Sequence, residues 1–157
     1  MILWHAGLAL AIVWNVFRDG ALDHRLVLIG ALVPDGLDLA SGRPAHAHTL
    51  AAAVLVLFGV MLFTRGRRAT RRRLLGLPIG MFLHLLLDGI WTKPHVLWWP
   101  FFGTDFAPGG LVPPLPLALA EELVGAWALA WFVWRFGLAD RTRRRKFLRT
   151  GRVEVAP

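Results

Sequence analysis

A histidine and an aspartate stand four residues apart in the apolar stretch FLHLLLDG, at His84 and Asp88. In a helix this spacing places both side chains on one face, one turn apart. An imidazole and a carboxylate in that arrangement can bind one borderline metal ion such as zinc, and His95 is a third ligand-type residue close by. The pair could equally be a histidine hydrogen-bonded to a carboxylate inside a helix bundle, so it predicts either a metal site or a buried polar contact.

The segment LVPDGLDLA carries two carboxylates, Asp35 and Asp38, directly after Pro34. Proline and glycine interrupt helices, so Pro34 and Gly36 are expected to break the helix and to turn both carboxylates toward one centre. In the alternative, Asp35 caps the first turn after the break. The segment predicts that at least one of the two aspartates is a metal ligand.

Two further histidines, His46 and His48, lie two residues apart in PAHAHT. Residues at this spacing do not share a helix face, but a loop can bring both to one metal ion. His48 could also cap the helix that follows, and both side chains could lie on an exposed loop. His5, in the first apolar stretch, is either a ligand or a histidine with an ordinary hydrogen-bond partner.

A pair of glutamates, Glu121 and Glu122, interrupts the last apolar stretch. Ionisable groups inside such stretches are expensive to bury and usually functional, so one of the two is a candidate ligand or general base. The other could face a polar cavity or Arg43. The candidate metal ligands are therefore His5, Asp35, Asp38, His46, His48, His84, Asp88 and His95, and the candidate general bases are Asp38 and Glu121.

The composition excludes several other chemistries. The 157 residues contain no cysteine, which rules out disulfides and thiolate ligands, and the single serine leaves little scope for a serine nucleophile. Neither a phosphate-binding glycine loop nor a G-x-S-x-G elbow is present. Hydrophobic residues make up 56% of the chain and charged residues 18%, too few charges for the surface of a soluble domain. The composition therefore indicates an integral membrane protein.

Five apolar stretches predict an all-α fold, a polytopic membrane helix bundle of four or five spanning helices. The stretches are residues 2–17, 26–39, 50–63, 74–91 and 111–136. Several are shorter than the ~20 residues that a full span requires. The second and the fourth could therefore be broken or re-entrant, which is tolerated only where protein or a water-filled cavity satisfies the backbone. The first stretch lacks the basic start of a signal peptide and is predicted to be a retained helix.

Lysine and arginine are unevenly distributed around these stretches. Six arginines lie in residues 65–73 and seven basic residues in 141–152, and each cluster flanks a long apolar run. With five spans, sixteen of the 18 basic residues fall on one side, which is then cytoplasmic. We assign the clusters to topology and contact with anionic lipid rather than to nucleic acid. Residues 1–140 then form one membrane domain, and residues 141–157 form a basic cytoplasmic tail that is expected to fray from residue 149.

The same topology gathers the chemistry-bearing residues at the opposite boundary. It places His5, both aspartates of LVPDGLDLA, the two histidines of PAHAHT, and the pair His84 and Asp88 with His95 at the outer ends of their helices. The count of basic residues does not require this convergence, so it is the strongest indication of a single site. His24 falls on the arginine-rich side and is not a candidate.

The order of the motifs resembles the YdjM-like family of membrane-bound metal-dependent hydrolases, described as LexA-binding and associated with the inner membrane. The motifs are His5, LIGALVPDGLD, the histidine pair before Thr49, FLHLLLDG and WWPF. The resemblance covers residues 1–103. It implies a multi-pass location in the bacterial inner membrane. It also implies similarity to the all-helical superfamily of zinc-dependent phospholipase C and P1 nuclease.

For the site, the resemblance implies a ligand order of His, Asp, His, H-x-x-x-D and a further His. This chain offers, in that order, His5, Asp35 or Asp38, His46 or His48, His84 with Asp88, and His95. Two departures stand out. Arg43 occupies about the place of a family histidine, and no histidine precedes Glu121 or Glu122 by four residues. One or two metal ions are therefore expected rather than three.

These observations predict a metal-dependent hydrolase, with zinc as the expected cofactor. It is expected to act where the outer face of its membrane meets water, on a phosphoester or lipid-linked substrate. One alternative is a non-catalytic membrane protein with a polar or metal-binding cluster. Another is a membrane platform on which a cytosolic protein docks. Membrane lipid is an expected partner in each case, and nucleic acid is not.

Overall fold

The computed structural model describes residues 1–41, 46–103 and 114–154, and every regular element in these ranges is helical. The all-α prediction is therefore confirmed. The helices are α1 (Ile2–Phe17), α2 (His24–Ser41), α3 (Leu50–Phe63), α4 (Arg68–Leu74), α5 (Gly76–Leu87), α6 (Pro94–Leu97), α7 (Leu115–Arg135) and α8 (Arg141–Thr150), with 3₁₀ turns at His46–His48 and Ile90–Thr92. The first and third apolar stretches coincide with α1 and α3. Arg43 and residues 111–113 of the last stretch lie outside the described ranges.

Five of the helices, α1, α2, α3, α5 and α7, alternate in direction between two ends of the molecule. We name these the histidine end, which contains the start of α1, and the arginine end, which contains α4 and α8. Helices α1 and α7 lie side by side and parallel. Gly7 packs on Gly125 near the histidine end, and Trp14 meets Phe136 edge-on near the arginine end, with ring centroids 4.7 Å apart. The candidate residues of α1 and α7 therefore share one end.

Glycines hold α2 and α5 in backbone contact. A Cβ atom on Gly80 would overlap the carbonyl of Val27, and one on Gly30 would overlap the carbonyl of Leu77. Only glycine permits two helix backbones to approach this closely. The contact fixes the position of α2 against the second half of α5, where His84 lies.

Helix α2 is continuous through Pro34, so the predicted break in this segment is wrong. Proline removes one backbone hydrogen bond, and packing of the flanking turns against neighbours can hold a helix across that loss. Asp35 and Asp38 consequently lie three residues apart on one face of an unbroken helix. Asp35 is not an N-cap, and no turn reverses the chain within α2.

Helix α8 and the segment after it pack against the arginine end. The side chain of Asp140 caps α8, and Gly151 ends it in the left-handed conformation, at φ 68°. Val153 is buried, and its N–H donates to the carbonyl of Gly20 at 3.2 Å. The prediction of a tail frayed from residue 149 is therefore wrong as far as Glu154.

Among the described residues, one helix is long and apolar enough to span a membrane, the 21-residue α7, of which 17% of the most apolar window is buried. Helices α1 and α3 are apolar but shorter, with 16 and 14 residues. One such helix does not establish a membrane protein, because core helices and signal sequences meet the same criteria. A bundle of four or five spans stays a prediction.

Candidate metal centre

Four ligand-type side chains converge at the histidine end. They are Asp35 of α2, His48 of the 3₁₀ turn before α3, and His84 and Asp88 at the end of α5. One ligand atom from each residue lies within 4.8 Å of those from the others. The side chains of His48, His84 and Asp88 are buried, whereas that of Asp35 is 39% exposed. This group, named the metal group below, could hold a metal ion.

The distances within the metal group resemble the edges of a tetrahedral metal site. Zinc bonds of ~2.0–2.2 Å place neighbouring ligand atoms about 3.3–3.6 Å apart. His48 Nε2 lies 3.4 Å from both Asp35 Oδ1 and Asp88 Oδ2. His84 Nε2 lies 3.6 Å from Asp35 Oδ1, 3.2 Å from Asp88 Oδ2 and 2.9 Å from His48 Nε2. All five distances involve the same atom of each residue, as one shared ion requires.

Helix α2 orients His84. Its Nδ1 donates to the carbonyl of Ala31 at 2.7 Å, across the glycine-lined contact between α2 and α5. This bond assigns the proton of the neutral ring to Nδ1 and leaves the lone pair on Nε2, the atom that faces the metal group. Gly89, at φ 63°, ends the helix directly after Asp88. The pair therefore occupies the last turn of α5, open to the histidine end.

His5 contacts the metal group through Asp88. Its Nε2 lies 2.8 Å from Asp88 Oδ1, and its Nδ1 lies 2.7 Å from the carbonyl of Met1. The other oxygen of Asp88, Oδ2, faces His48 and His84. His5 therefore holds a ligand carboxylate through its second oxygen, as outer residues of metal sites commonly do.

Thr49 and Asp38 flank His48. The hydroxyl of Thr49 donates to the carbonyl of His46 at 2.9 Å and accepts from the N–H of Ala52 at 3.1 Å, so Thr49, not His48, caps α3. Asp38 Oδ2 lies 3.1 Å from His48 Nδ1, yet this nitrogen makes no hydrogen bond to a described residue. We interpret the contact as an ion pair because the distance is short. A small rotation of Asp38 would give the usual carboxylate–histidine–metal arrangement.

Three carboxylates determine the protonation of His48. Burial lowers the pKa of an imidazole, but hydrogen bonds to Asp35 and Asp88 and the charge of Asp38 outweigh it and raise the pKa of His48 to about 9. Without a metal ion, the ring is therefore protonated at neutral pH and offsets one of the three carboxylate charges. A metal ion must displace that proton to bind Nε2.

His46 and His95 lie at the histidine end but outside the metal group. His46 is exposed, and its ring meets Trp99 edge-on with centroids 5.3 Å apart. His95 is also exposed, with Nδ1 3.3 Å from the carbonyl of Phe102. Ligation by either residue stays a prediction, and it would require a different loop conformation.

Helix α7 brings both glutamates to the start of α1. Glu122 Oε2 accepts from the N–H of Leu3 at 2.9 Å, in the first turn, where helix amides favour a negative charge. Glu121 Oε2 is buried and has no hydrogen-bond partner among the described residues. These contacts place the glutamates near the turn that carries His5. The role of Glu121 as a base stays a prediction.

A second polar cluster, at the arginine end, was missed from the sequence. Asp23 is buried and accepts from Arg25 Nε at 3.0 Å and Nη2 at 2.7 Å, while Arg25 Nη1 donates to the carbonyl of Leu148 in α8 at 2.7 Å. The N–H of His24 donates to the carbonyl of Gly151 at 2.9 Å. We name this cluster of Asp23, His24, Arg25 and Gly151 the tail clasp. Its signal was the run Asp-His-Arg between two apolar stretches, which charge counting assigned to topology alone.

Comparison with known proteins adds no relative. No protein-family model, no curated protein and no solved structure matches the chain. The geometry of the metal group and its surroundings is therefore the basis for assigning a function.

Proposed function

We propose that this protein is a membrane-bound metal-dependent hydrolase with a zinc ion held by the metal group. The observation that carries the proposal is the set of five distances, from 2.9 to 3.6 Å, that join one fixed atom of each ligand. Two imidazoles and two carboxylates form a donor set that suits zinc. The ring that must give up a proton, His48, already faces the carboxylates that an ion would neutralise.

A catalytic zinc site needs a coordination position for water or substrate, with about three protein ligands. Asp35 is the member suited to leave that position. Its side chain is the most exposed of the four, and its Oδ1 makes the longest of the five contacts, 3.6 Å to His84. We therefore propose His48, His84 and Asp88 as permanent ligands and Asp35 as the displaceable one.

A zinc ion in this position would polarise a phosphoryl group and lower the pKa of a bound water toward ~7. Asp38 and Glu121 are the candidate general bases for that water, and Asp38 also contacts His48 at Nδ1, on the side of the ring away from the metal group. His5 keeps Asp88 oriented through its Oδ1.

The exposed apolar surface supports a membrane location. Large apolar side chains on α3 and α7 are widely exposed, among them Leu55 at 69%, Leu123 at 71% and Trp127 at 71%. Such exposure on helices this apolar suggests surfaces that lipid or another protein covers. We propose that these faces contact lipid, and that the arginine end faces the cytoplasm of a bacterial inner membrane in a multi-pass arrangement.

The histidine end would then lie at the opposite membrane boundary. Trp91, Trp98 and Phe101 are exposed there, and aromatic side chains favour the membrane–water interface. A site at this level meets lipid headgroups and water together. The substrate that fits is a phosphoester, most directly a lipid-linked one.

Metal content tests the proposal. Protein purified in detergent, loaded with zinc and desalted should retain metal, measured by inductively coupled plasma mass spectrometry. The His84→Ala, Asp88→Ala double variant should lose it, whereas Asp19→Asn at the arginine end should not. Wild-type protein that retains neither zinc nor manganese would rule the proposal out. Bound zinc without hydrolysis of bis(p-nitrophenyl) phosphate or phospholipids would favour the non-catalytic alternative.

Reporter fusions test the topology separately. A reporter that is active only outside the cytoplasm should work after Gly103 and fail after Gly66, because α5 separates these positions. It should also fail after Gly20, in the loop between α1 and α2. Activity after Gly20 would put the loop between α1 and α2 outside the cytoplasm. That result would contradict the proposal that the arginine end is cytoplasmic.

A further inference from the structure

A groove between α3 and α5 begins beside the metal group. Its volume is about 200 Å³, and it is lined by apolar side chains of α3 from Leu50 to Leu57 and of α5 from Pro78 to Phe82. Leu50 lies two residues after His48, and Phe82 lies two residues before His84. The groove therefore starts at the level of the metal group and extends along both helices toward the arginine end.

Near the histidine end, α3 packs closely on α5 and bounds the groove. There, Ala53 belongs to a buried cluster with Met81 and Leu85. Farther along, Val54 is 50% exposed and Leu57 is 40% exposed. The opposite face of α5 is in backbone contact with α2, so the loose packing is confined to the α3 side. The result is an apolar crevice that opens on the surface we assign to lipid.

A lipid phosphoester at the metal group would have to direct its hydrocarbon chains along this crevice. Its phosphate would lie at the membrane boundary, and its chains would run parallel to the helices into the bilayer. We infer that the groove binds one hydrocarbon chain of a membrane phospholipid whose phosphate lies at the metal group. This inference rests on the proposed function and narrows its substrate class to lipid phosphoesters.

The two parts of the site contribute unequally to binding. A hydrocarbon chain that moves from the bilayer into the groove gains packing contacts. It gains no hydrophobic stabilisation, because the surrounding lipid tails are as apolar as the groove. The phosphate, in contrast, is repelled by Asp35, Asp38 and Asp88 unless a cation neutralises them. Occupation of the groove should therefore depend on zinc, while ordinary lipid contact elsewhere should not.

The test uses the full chain in phosphatidylcholine nanodiscs that contain a phosphatidylglycerol with a diazirine midway along one acyl chain. After irradiation, labelled peptides are quantified by mass spectrometry. In zinc-loaded wild type, labelling at Leu57 and Ile79 should exceed that at Leu123 of α7 by about threefold, because zinc holds the phosphate beside the groove while chain packing adds little. Removing zinc, or the variant His84→Ala, should reduce groove labelling to the α7 level.

Two tryptophan variants provide the matched comparison. Val54→Trp fills the groove and should abolish the excess labelling, whereas Leu55→Trp, one position along on the lipid-facing surface, should preserve it. Both should retain zinc. Equal labelling of groove and α7 in zinc-loaded wild type would overturn the inference while the measured zinc leaves the hydrolase proposal standing. Excess labelling that persists without zinc and in His84→Ala would show a lipid held for structure and not as substrate. A wild type without zinc would end the hydrolase proposal and the substrate role together.

Discussion

The two ends of the bundle bury carboxylates with different partners. At the arginine end, Asp23 is bound by Arg25, and Asp19 accepts two bonds from Arg72, at 2.8 and 2.7 Å. At the histidine end, the metal group pairs its two carboxylates with imidazoles. Helix α2 reaches both ends, and the twelve residues that separate Asp23 from Asp35 correspond to roughly 18 Å along its axis. The same helix therefore begins in one kind of polar cluster and ends in the other.

The two ends differ in whether the partner of each carboxylate can lose its proton. A guanidinium keeps its proton at any physiological pH and cannot bind a metal, so the pair of Asp23 and Arg25 can only hold structure. An imidazole exchanges its proton near neutral pH and then offers a lone pair to a metal ion. We conclude that the arginine end stabilises the bundle, whereas the imidazoles of the histidine end can exchange a proton for a metal ion. Four measurements test this contrast between the two ends.

The largest expected effect is the dependence of zinc affinity on pH. His48, with a pKa of about 9, must lose a proton before it binds metal. Each pH unit below that value costs about tenfold in affinity, so affinity should fall by about 100-fold from pH 8 to pH 6. Competition with a chromogenic chelator measures it. An affinity that stays constant over this range would contradict the role of His48 as a ligand.

Removal of the residue behind Asp88 should have the next largest effect. His5→Ala should weaken zinc binding by ~10–100-fold, the usual range for outer residues of metal sites. Glu122→Gln, which changes a side chain bound to the same turn of α1, is the control and should bind zinc as wild type does. Equal affinities for His5→Ala and wild type would exclude His5 from the site.

At the arginine end, Gly151→Ala should destabilise the protein without affecting zinc. A Cβ atom there would overlap the carboxylate of Asp23, and the backbone φ of 68° is unfavourable for alanine. We expect a loss of about 1–3 kcal/mol in stability. Thermal unfolding in detergent and protease cleavage after Arg149 measure it. Reduced zinc affinity in this variant would show that the two ends are coupled.

The smallest effect is expected for Arg72→Gln. The side chain of Arg72 is 60% exposed, so its pair with Asp19 should contribute only ~0–1 kcal/mol. Burial raises the pKa of Asp19, but hydrogen bonds from Arg72 and Ala21 lower it further, to a net value below normal. The contribution of the pair is therefore present above the ordinary pKa and lost as pH falls through the lowered one. Unfolding curves in acid should differ between wild type and variant only above that range.

Local sequence features predicted much of the fold. The bounds of α1 and α3 followed directly from apolar runs that end at polar residues. The continuity of α2 could not be predicted, because whether a helix survives Pro34 depends on packing against α5. The packing of α8 and the segment after it against the arginine end could not be predicted either. Its bond from His24 to Gly151 joins residues 127 positions apart, and neither residue carries a distinctive pattern.

For the site, the sequence predicted which residues come together but not the role of each residue. The spacing of His84 and Asp88 predicted one face of a helix, and they share the last turn of α5. The choice between His46 and His48 depended on a 3₁₀ turn that buries one ring and exposes the other. The separation of His5 from the ligands depended on which oxygen of Asp88 it meets. Such distinctions arise from side-chain packing, which residue spacing does not encode.

The glycine contact between α2 and α5 bears on how the protein is made. Helix α2 is synthesised more than thirty residues before α5, so Asp35 is made before His84 and Asp88. Until α5 packs against α2, no complete set of ligands exists. An ion that binds only the finished arrangement stabilises it by mass action. Metal availability would therefore favour completed folding, and chains made under zinc starvation should be degraded sooner after synthesis.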